Sequence, residues 1–165
     1  MRVAGGSEKG RRLKGAVTSN TRATTERVRA AIFNILDPNL YQGGRVLDLF
    51  SGTGSLGIEA LSHGADWVDF VEWDRRQSAV ITSNLESTGL TAKAKVHRLD
   101  VFQALQTLPG NYDLALMDPP YKMGNLDNLM EQVSARSGLI IEGGVVITGH
   151  SKREELKEAY GAVSY

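Results

Sequence analysis

A glycine-rich turn between an apolar run and a helical pattern is the feature that most constrains the fold of this chain. Residues 45–59 read RVLDLFSGTGSLGIE, and Gly52, Gly54 and Gly57 have the spacing G-x-G-x-x-G. This spacing indicates a nucleotide-type ligand when a strand precedes it and a helix follows, as the apolar pattern predicts here. Glycine lets the backbone approach a ligand closely, and the amides at the start of the next helix then face that ligand.

Two acidic residues distinguish between the cofactors that could bind this turn. Asp48 lies inside the predicted strand, and Glu72 lies 18 residues beyond Gly54, close to the ~20-residue offset at which an acid binds ribose hydroxyls in doubly wound folds. An acid at position 48 would repel the pyrophosphate of a dinucleotide. S-adenosylmethionine (SAM) carries a positive charge and no phosphate, so the sequence favours SAM over NAD. The alternative is that Asp48 only caps the turn, but a strand-interior acid needs a polar partner.

Apolar runs and helical patterns alternate along the rest of the chain. Strands are predicted near residues 45–50, 67–72, 94–99, 112–117 and 144–148, and helices near 54–63, 74–88, 101–108, 125–137 and 152–160. Repeated β-α units indicate a parallel sheet with helices on both faces and right-handed crossovers. The predicted fold class is therefore α/β, with a doubly wound, mostly parallel, Rossmann-like sheet.

Acidic residues stand at or near the carboxyl ends of four consecutive predicted strands. They are Asp48, Glu72, Asp100 and Asp118. Ligands of open α/β sheets bind beyond these ends, near the point where the strand order reverses. We therefore expect the four carboxylates to converge on one pocket.

The fourth predicted strand runs into Asp118-Pro119-Pro120-Tyr121, a motif suited to binding a planar amine. The two prolines fix φ and remove two amide donors, and the first restrains Asp118 to an extended conformation. The Asp118 carboxylate and the Pro119 carbonyl can each accept an N–H from an exocyclic amine, while Tyr121 can stack on the base. The motif could instead form only a rigid surface turn with Tyr121 as packing.

The amino-terminal residues are basic, although the whole chain has a net charge of +0. Residues 1–29 hold eight basic and two acidic side chains, whereas the remaining 136 residues hold 11 basic and 17 acidic ones. We predict a basic hairpin or arm over residues 1–23, with strands around 2–4 and 11–13, preceding a domain over residues 24–165. Such an arm indicates a polyanionic partner. The residues predicted to bind this partner are Arg2, Lys9, Arg11, Arg12, Lys14 and Arg22.

A helix is predicted from Thr24, with Thr24 or Thr25 as its cap and with Asp37-Pro38 ending it. The apolar spacing predicts a buried stripe of Val28, Ile32, Ile35 and Leu36. The arginines of this region are then expected to remain free for solvent or phosphate. They are Arg22, Arg27 and Arg29.

Composition excludes several functional classes. The chain has no cysteine, and therefore no disulfide, thiolate zinc site or cysteine nucleophile. No apolar run approaches the ~20 residues that span a bilayer, and the first residues lack the apolar region of a signal peptide. His63, His97 and His150 form no metal-ligating or catalytic pattern and are interpreted as structural. We expect a cytoplasmic protein without metal or membrane partner, and a monomer is favoured.

The motifs above resemble those of a known family. VLDLFSGTGSLGIEAL, VEWD and DPPY are similar to segments of class I SAM-dependent methyltransferases that modify exocyclic amines. The upstream segments KGRRL and TRATTERVRAAIFNIL narrow the resemblance to the bacterial small-subunit ribosomal RNA guanine-N2 methyltransferases. The resemblance covers about residues 2–150. It implies transfer of a methyl group from SAM to N2 of a guanine in ribosomal RNA or in an assembling small subunit.

The resemblance also implies roles for individual residues. Glu72 would bind the ribose hydroxyls and Asp100 the adenine amine. The implied cofactor-binding residues are Asp48, Ser51, Gly52, Thr53, Gly54, Glu72 and Asp100. The implied catalytic residues, which hold the target amine, are Asp118, Pro119, Pro120 and Tyr121. The basic hairpin would help to bind the RNA.

The sequence departs from the family at three places, and it leaves other functions open. The family usually has proline at Ala23 and an acid near Gly149, and it continues beyond Tyr165 into a final strand pair, which we expect to be truncated here.

The alternative functions are those of a DNA adenine or cytosine amino-methyltransferase and of an RNA-binding module with a vestigial SAM site. A protein-glutamine methyltransferase is disfavoured because its motif usually begins with asparagine.

Overall fold

A computed structural model describes residues 1–17, 24–120, 124–149, 159–160 and 163–164. Within these residues five strands form one sheet, and all of its neighbouring strands are parallel. The strands are β1 (Arg45–Leu49), β2 (Trp67–Val71), β3 (Ala94–His97), β4 (Tyr112–Met117) and β5 (Ile140–Thr148). Their order is β3-β2-β1-β4-β5, so the chain builds the sheet outward from β1 in two directions. This order confirms the predicted doubly wound sheet and places its switch point between β1 and β4.

Helices cover both faces of this sheet. They are α1 (Glu26–Ile35), α2 (Pro38–Tyr41), α3 (Ser55–Ser62), α4 (Arg75–Ser87), α5 (Val101–Thr107) and α6 (Leu126–Ala135). Successive residues of β1 point to opposite faces. Val46 accordingly packs with residues of α1, α3 and α4, whereas Leu47 packs with residues of α5 and α6. The two hydrophobic clusters hold the carboxyl ends of the strands at one edge, where the predicted site residues lie.

The predicted strands and helices agree with the structure up to β4, but the end of the chain differs. β5 begins at Ile140, four residues before the predicted start. Gly143 has φ +81°, and the register of the pairing with β4 shifts between Ile140 and Val145, so β5 bulges at Gly143. The predicted helix 152–160 is wrong at its end, because β6 (Ala159–Tyr160) pairs antiparallel with β7 (Val163–Ser164). The rest of that predicted helix lies outside the described residues.

Helix α1 begins as predicted but buries a different face. Thr25 caps it by accepting a hydrogen bond from the Val28 amide. Val28 and Ile35 are 47% and 83% exposed, so their predicted burial is wrong, whereas Arg29 and Phe33 are buried. The reason is an ion pair between Arg29 Nη1 and Glu59 Oε1 of α3 at 2.8 Å, which turns this face of the helix inward.

Ile32 and Leu36 pack against the core, as the spacing predicts. The prediction that Arg29 remains available to phosphate is wrong, because its side chain is buried against Glu59. Helix α1 ends at Ile35 with Leu36 as its cap, just before the predicted Asp37-Pro38, and Asp37 caps α2 by accepting from the Asn39 amide. This short second helix was not predicted.

The amino-terminal hairpin is present and packs on the domain. Arg2 and Arg12 form an antiparallel bridge, and the Val3 amide donates to the Arg11 carbonyl at 2.9 Å. Val3 and Leu13 are buried in the same cluster as α3 and α4. The hairpin therefore shares the core of the body. The domain boundary at residue 23 falls outside the described residues and stays a prediction.

Candidate active site

The glycine turn has an unusual backbone that is held by Ser51. Phe50, Gly52 and Gly54 have φ values of +55°, +56° and +78°, and Gly54 directly precedes α3. Left-handed backbone at a residue with a side chain is strained, and such strain is concentrated at functional sites. The Ser51 hydroxyl donates to the Asp48 carbonyl at 2.6 Å and accepts from the Val71 amide at 3.0 Å. Ser51 thus joins the ends of β1 and β2.

The third glycine of the motif allows α3 to lie directly on the sheet. A Cβ at Gly57 would lie 2.3 Å from Phe70 Cε1 of β2, which is closer than side chains pack. The Gly57 amide donates to Asp48 Oδ2 at 3.0 Å. Gly57 therefore sets the distance between α3 and β2 and gives the buried carboxyl of Asp48 its polar partner. The spacing of the motif predicted the glycine but not this bond.

Asp48 is 2% exposed, and its environment favours the protonated form. Burial raises the pKa of Asp48 to about 8; the Gly57 hydrogen bond opposes this shift, and the charges of Asp118 and Glu72 add to it. The three acids predicted at separate strand ends thus interact electrostatically across the switch point. A positively charged ligand placed among them would favour ionisation of Asp48.

Glu72 connects the glycine turn to the start of α4. Its Oε1 accepts from the Gly52 amide at 3.0 Å, and its Oε2 accepts from the Asp74 amide at 2.8 Å. Burial raises the pKa of Glu72 overall, although these two amide bonds act in the opposite direction. Each carboxylate oxygen has a second lone pair, so both can still accept hydrogen bonds from ribose hydroxyls. That role stays a prediction.

The other two predicted cofactor groups, Thr53 and Asp100, make local contacts. The buried Thr53 hydroxyl accepts from the Ser55 amide at 3.3 Å, within the turn. Asp100 is exposed beyond β3 and caps α5 by accepting from the Phe102 amide at 2.7 Å. The structure places Asp100 at the same edge of the sheet as Glu72, since the Glu72 amide donates to the carbonyl of His97 at the end of β3. Direct cofactor contacts of Thr53 and Asp100 stay predictions.

The Asp118 turn follows β4 next to β1. Asp118 is partly buried, and its Oδ2 accepts from the Thr24 hydroxyl at 3.0 Å. Pro119 is buried and Pro120 is exposed. The predicted stacking residue Tyr121 lies outside the described residues. The turn therefore brings a carboxylate close enough to Asp48 for its charge to raise the pKa of Asp48, and its role in holding an amine stays a prediction.

Two polar residues that sequence reasoning missed hold the amino-terminal segment against α4. Asn84 accepts from the Lys14 amide at 2.7 Å, and its Nδ2 donates to the Thr53 carbonyl at 2.9 Å. Gln77 accepts from the Val17 amide at 3.1 Å. Both side chains are buried, although polar residues in a helix usually indicate a solvated face. Both attach the segment after the hairpin to α4, and Asn84 also links it to the glycine turn.

The arrangement fits SAM better than a dinucleotide. The charges of Glu72 and Asp118 already raise the pKa of the buried Asp48 carboxyl, so this site opposes a pyrophosphate, whereas a sulfonium would favour ionisation of Asp48. The left-handed turn at Gly52 and Gly54 leaves backbone without side chains beside these acids. The residues present could therefore hold the amino acid end and the ribose of SAM.

The predicted RNA-binding cations of the hairpin are exposed. They are Arg2, Lys9, Arg11, Arg12 and Lys14; the sixth, Arg22, lies outside the described residues. Arg2 and Arg12 stand directly opposite each other on the bridge, which is an unfavourable pairing of like charges. Arg11 lies 3.6 Å from Glu8. A polyanion across the hairpin would relieve the repulsion between Arg2 and Arg12.

Two histidines have structural contacts, as predicted. His63 stacks on Phe33 with ring centroids 5.0 Å apart and lies 3.1 Å from Glu59. His97 lies 2.9 Å from Asp69, which also accepts from the Tyr112 hydroxyl. His150 lies outside the described residues. Among the residues that the structure describes, there is no group of three potential metal ligands and no helix long and apolar enough to cross a membrane.

Similar proteins are found both by sequence and by structure. Residues 1–164 match the family model described as "Conserved hypothetical protein 95". The chain is 39% identical over 164 residues to a Bacillus subtilis protein provisionally named rRNA methyltransferase YlbH, covering 98% of this chain and 88% of that protein. It is 34% identical over 134 residues to ribosomal RNA small subunit methyltransferase D of Escherichia coli, covering 79% and 67% of the two proteins. A solved hypothetical protein of Thermus thermophilus has a TM-score of 0.83 at 33% identity, covering 96% of this chain and 90% of that one.

Proposed function

We propose that this chain, which belongs to the family described as conserved hypothetical protein 95, methylates the exocyclic N2 amine of a guanine in small-subunit ribosomal RNA. It is a SAM-dependent RNA methyltransferase with the class I fold. The observation that carries the finer proposal is the position of the Asp118-Pro119-Pro120 turn beside Asp48. This position would place an amine-accepting carboxylate next to the predicted cofactor site.

The proposed cofactor site uses the backbone of the glycine turn and the acids at the ends of β1 and β2. When bound, SAM supplies a methyl carbon on a positively charged sulfonium, and the electrons of the breaking bond remain on sulfur. Asp48 would favour this charge by ionising. Glu72, which is fixed by the Gly52 and Asp74 amides, would accept hydrogen bonds from the ribose.

The Asp118 turn would position the target amine. In the proposed arrangement the Asp118 carboxylate and the Pro119 carbonyl each accept one N–H of the guanine amine. Holding both hydrogens directs the nitrogen lone pair at the methyl carbon, and positioning of this kind supplies much of the rate enhancement of group transfer. The extra proton leaves after the N–C bond forms, to Asp118 or to water. Tyr121 is proposed to stack on the base.

The hairpin would bind the RNA backbone around the target. Its exposed cations can neutralise phosphates, which supplies affinity with little sequence selectivity. A guanine amine inside a helix cannot reach a pocket at a sheet edge, so the target would be unpaired or flipped out. A ribosomal substrate would place the protein in the cytoplasm.

Nucleoside analysis tests this proposal. Small-subunit RNA from a strain lacking the protein is incubated with the purified protein and isotopically labelled SAM, as naked RNA and within assembling subunits. The RNA is then digested and its nucleosides are separated by mass. We expect label in N2-methylguanosine. Label in another nucleoside, or preferential labelling of duplex DNA offered in the same reaction, would contradict the guanine-N2 assignment.

A further inference from the structure

We propose that Thr24 is a positioning residue that orients the Asp118 carboxylate, and that the buried Arg29–Glu59 pair holds Thr24 in place. This inference rests on the proposed role of Asp118 in binding the target amine. Neither Thr24 nor Arg29 belongs to the glycine turn or to the Asp-Pro-Pro motif, and Thr24 comes 94 residues before Asp118 in the chain.

The contact between Thr24 and Asp118 constrains the side-chain torsions of Asp118, which the prolines do not restrain. Pro119 restrains the Asp118 backbone but not the two side-chain torsions that aim the carboxylate. The Thr24 hydroxyl donates to Asp118 Oδ2 at 3.0 Å and thereby selects one orientation. A hydrogen bond to a charged acceptor is among the stronger ones in proteins, so it can decide between rotamers.

Thr24 is itself held by a buried network. It precedes the helix cap Thr25, so the hydrogen bonds of α1 do not fix its conformation. Instead Arg29 Nε donates to the Thr24 carbonyl at 3.2 Å, and Arg29 Nη1 donates to Glu59 Oε1 at 2.8 Å. Thr24 therefore lies between a buried ion pair on one side and the proposed catalytic turn on the other.

Glu59 is a fixed point for this network because donors from three segments meet on it. Besides Arg29, it accepts from the Ala4 amide at 2.9 Å and the Gly5 amide at 3.0 Å, and His63 Nε2 lies 3.1 Å away. The hydrogen-bonded path thus runs from the hairpin through α3 and α1 to Asp118. A bound RNA that engages the hairpin would contact one end of this path.

The ion pair is poorly explained by stability alone. The side chains of Arg29 and Glu59 are both 0% exposed, and burying two charges costs free energy that their attraction often only offsets. Arg29 Nη2 is also buried and makes no hydrogen bond within the part of the chain that the structure describes. An apolar pair would avoid both costs but could neither fix the Thr24 carbonyl nor accept from the Ala4 and Gly5 amides. The arrangement thus serves to place Thr24 as well as the hairpin.

Replacement of the hydroxyl tests the inference. Thr24→Val keeps the shape of the side chain and removes the donor, and Thr24→Ala is a second variant should valine disturb packing. We expect the single-turnover methylation rate at saturating SAM and RNA to fall roughly 10- to 100-fold, the effect of losing one hydrogen bond to a charged group. SAM and RNA affinities should stay within about threefold of the native protein. Thr24→Ser, which restores the donor, should recover most of the rate.

Thr25→Val is the matched control, because it removes the neighbouring hydroxyl that caps α1 and does not bond to Asp118. It should lower the melting temperature and leave the rate within about twofold. A native rate for Thr24→Val, or an equal loss for Thr25→Val, would overturn the inference. Failure of Thr24→Ser to recover activity would overturn it as well.

The double variant Thr24→Val/Asp118→Ala separates this inference from the proposed function. If Thr24 acts through Asp118, the valine substitution causes no further loss once Asp118 is alanine. Multiplying losses would overturn the role of Thr24 and leave that of Asp118 intact. Native turnover of Asp118→Ala alone would instead remove the proposed function of the turn, and the inference with it.

Discussion

Asp48 is the residue whose ionisation should respond most to the cofactor. Burial and the charges of Asp118 and Glu72 raise its pKa to about 8, so below that pH the carboxyl holds a proton in the free protein. A sulfonium beside it favours the ionised form. SAM binding should therefore release a proton at neutral pH, and the apparent affinity should increase as the pH rises from about 6 to 8, by up to tenfold per pH unit.

Titration calorimetry in two buffers of different ionisation enthalpy measures this release. At pH 7 nearly one proton should be released for each SAM bound. The apparent binding enthalpies in the two buffers should therefore differ by nearly the difference between the ionisation enthalpies of the buffers. Asp48→Asn, which keeps an acceptor for the Gly57 amide, should show no such difference. Buffer-independent enthalpy in the native protein would mean that Asp48 does not change its ionisation on binding.

Sequence reasoning placed the acidic residues well and their supporting residues poorly. The end of a strand is a local property, so the approximate positions of Asp48 and Glu72 follow from the alternation of apolar runs. The importance of Asn84 and Gln77 depends on partners 70 and 60 residues away, Lys14 and Val17. Nothing in a helical pattern distinguishes such residues from solvated ones.

At the scale of elements, the contact between α3 and β2 depends on one glycine. Gly57→Ala would gain about 1 kcal/mol of helix propensity. The new Cβ would however lie 2.3 Å from a ring carbon of the fully buried Phe70, and such overpacking costs about 1–3 kcal/mol, with the closest contacts at the upper end. We expect a net loss of stability. We also expect weaker SAM binding, because the Gly57 amide is the hydrogen-bond partner of the Asp48 carboxyl.

Urea unfolding monitored by circular dichroism measures the change. Gly15→Ala is the control, since a Cβ there meets no atom within 4 Å and the backbone is not left-handed. It should leave the free energy of unfolding within about 0.5 kcal/mol of the native value. Equal stability of the two variants would show that α3 can move away from the sheet without cost.

Helix α1 shows where periodicity stops being informative. The spacing predicted the helix and the contacts of Ile32 and Leu36, but it assigned Val28 and Ile35 to the buried face. A pattern that treats arginine as exposed could not include Arg29, whose partner Glu59 is 30 residues away and on another helix. The elements that pack against a helix decide which of its faces is buried. In α1 the ion pair buries an arginine while Val28 and Ile35 remain exposed.

The whole molecule combines a basic amino-terminal hairpin with an acidic body, and this asymmetry should control RNA binding. Each phosphate contact that is lost reduces the slope of log affinity against log salt by about 0.7–0.9. Replacing both Arg2 and Arg12 with glutamine should reduce that slope by about 1.4–1.8 and weaken binding to all RNA sequences similarly. It should also relieve the like-charge pairing on the bridge, so the protein should not lose stability.

Filter binding at several salt concentrations provides this slope. Lys95→Gln on the edge strand β3 removes an exposed cation outside the hairpin and should leave the slope unchanged. An unchanged slope in the double hairpin variant would place the RNA elsewhere on the surface.

The topology of the whole molecule was more predictable than its termini. Alternating strands and helices allow few arrangements, so the parallel sheet follows from the pattern. The hairpin was predicted from two short segments in the basic start of the chain, but burial of Val3 and Leu13 in the core was not, because short strands carry little apolar signal. The resemblance to the family implies a final strand pair at this end of the chain, but the pairing of β6 with β7 involves only two residues on each side, too short for the apolar pattern to indicate.

The central claim is that acids at the ends of β2 and β4, the strands on either side of β1, divide the work of one site, with Glu72 binding the cofactor and Asp118 holding the target amine. The most direct test measures SAM affinity and the single-turnover methylation rate in Asp118→Ala and Glu72→Ala. Asp118→Ala should keep SAM affinity within a few fold while the rate falls roughly 10²–10³-fold, the loss typical of an oriented polar group in a transition state. Glu72→Ala should weaken SAM binding by tenfold or more and largely recover its rate at saturating SAM. Near-native turnover by Asp118→Ala, or unchanged SAM binding by Glu72→Ala, would contradict this division.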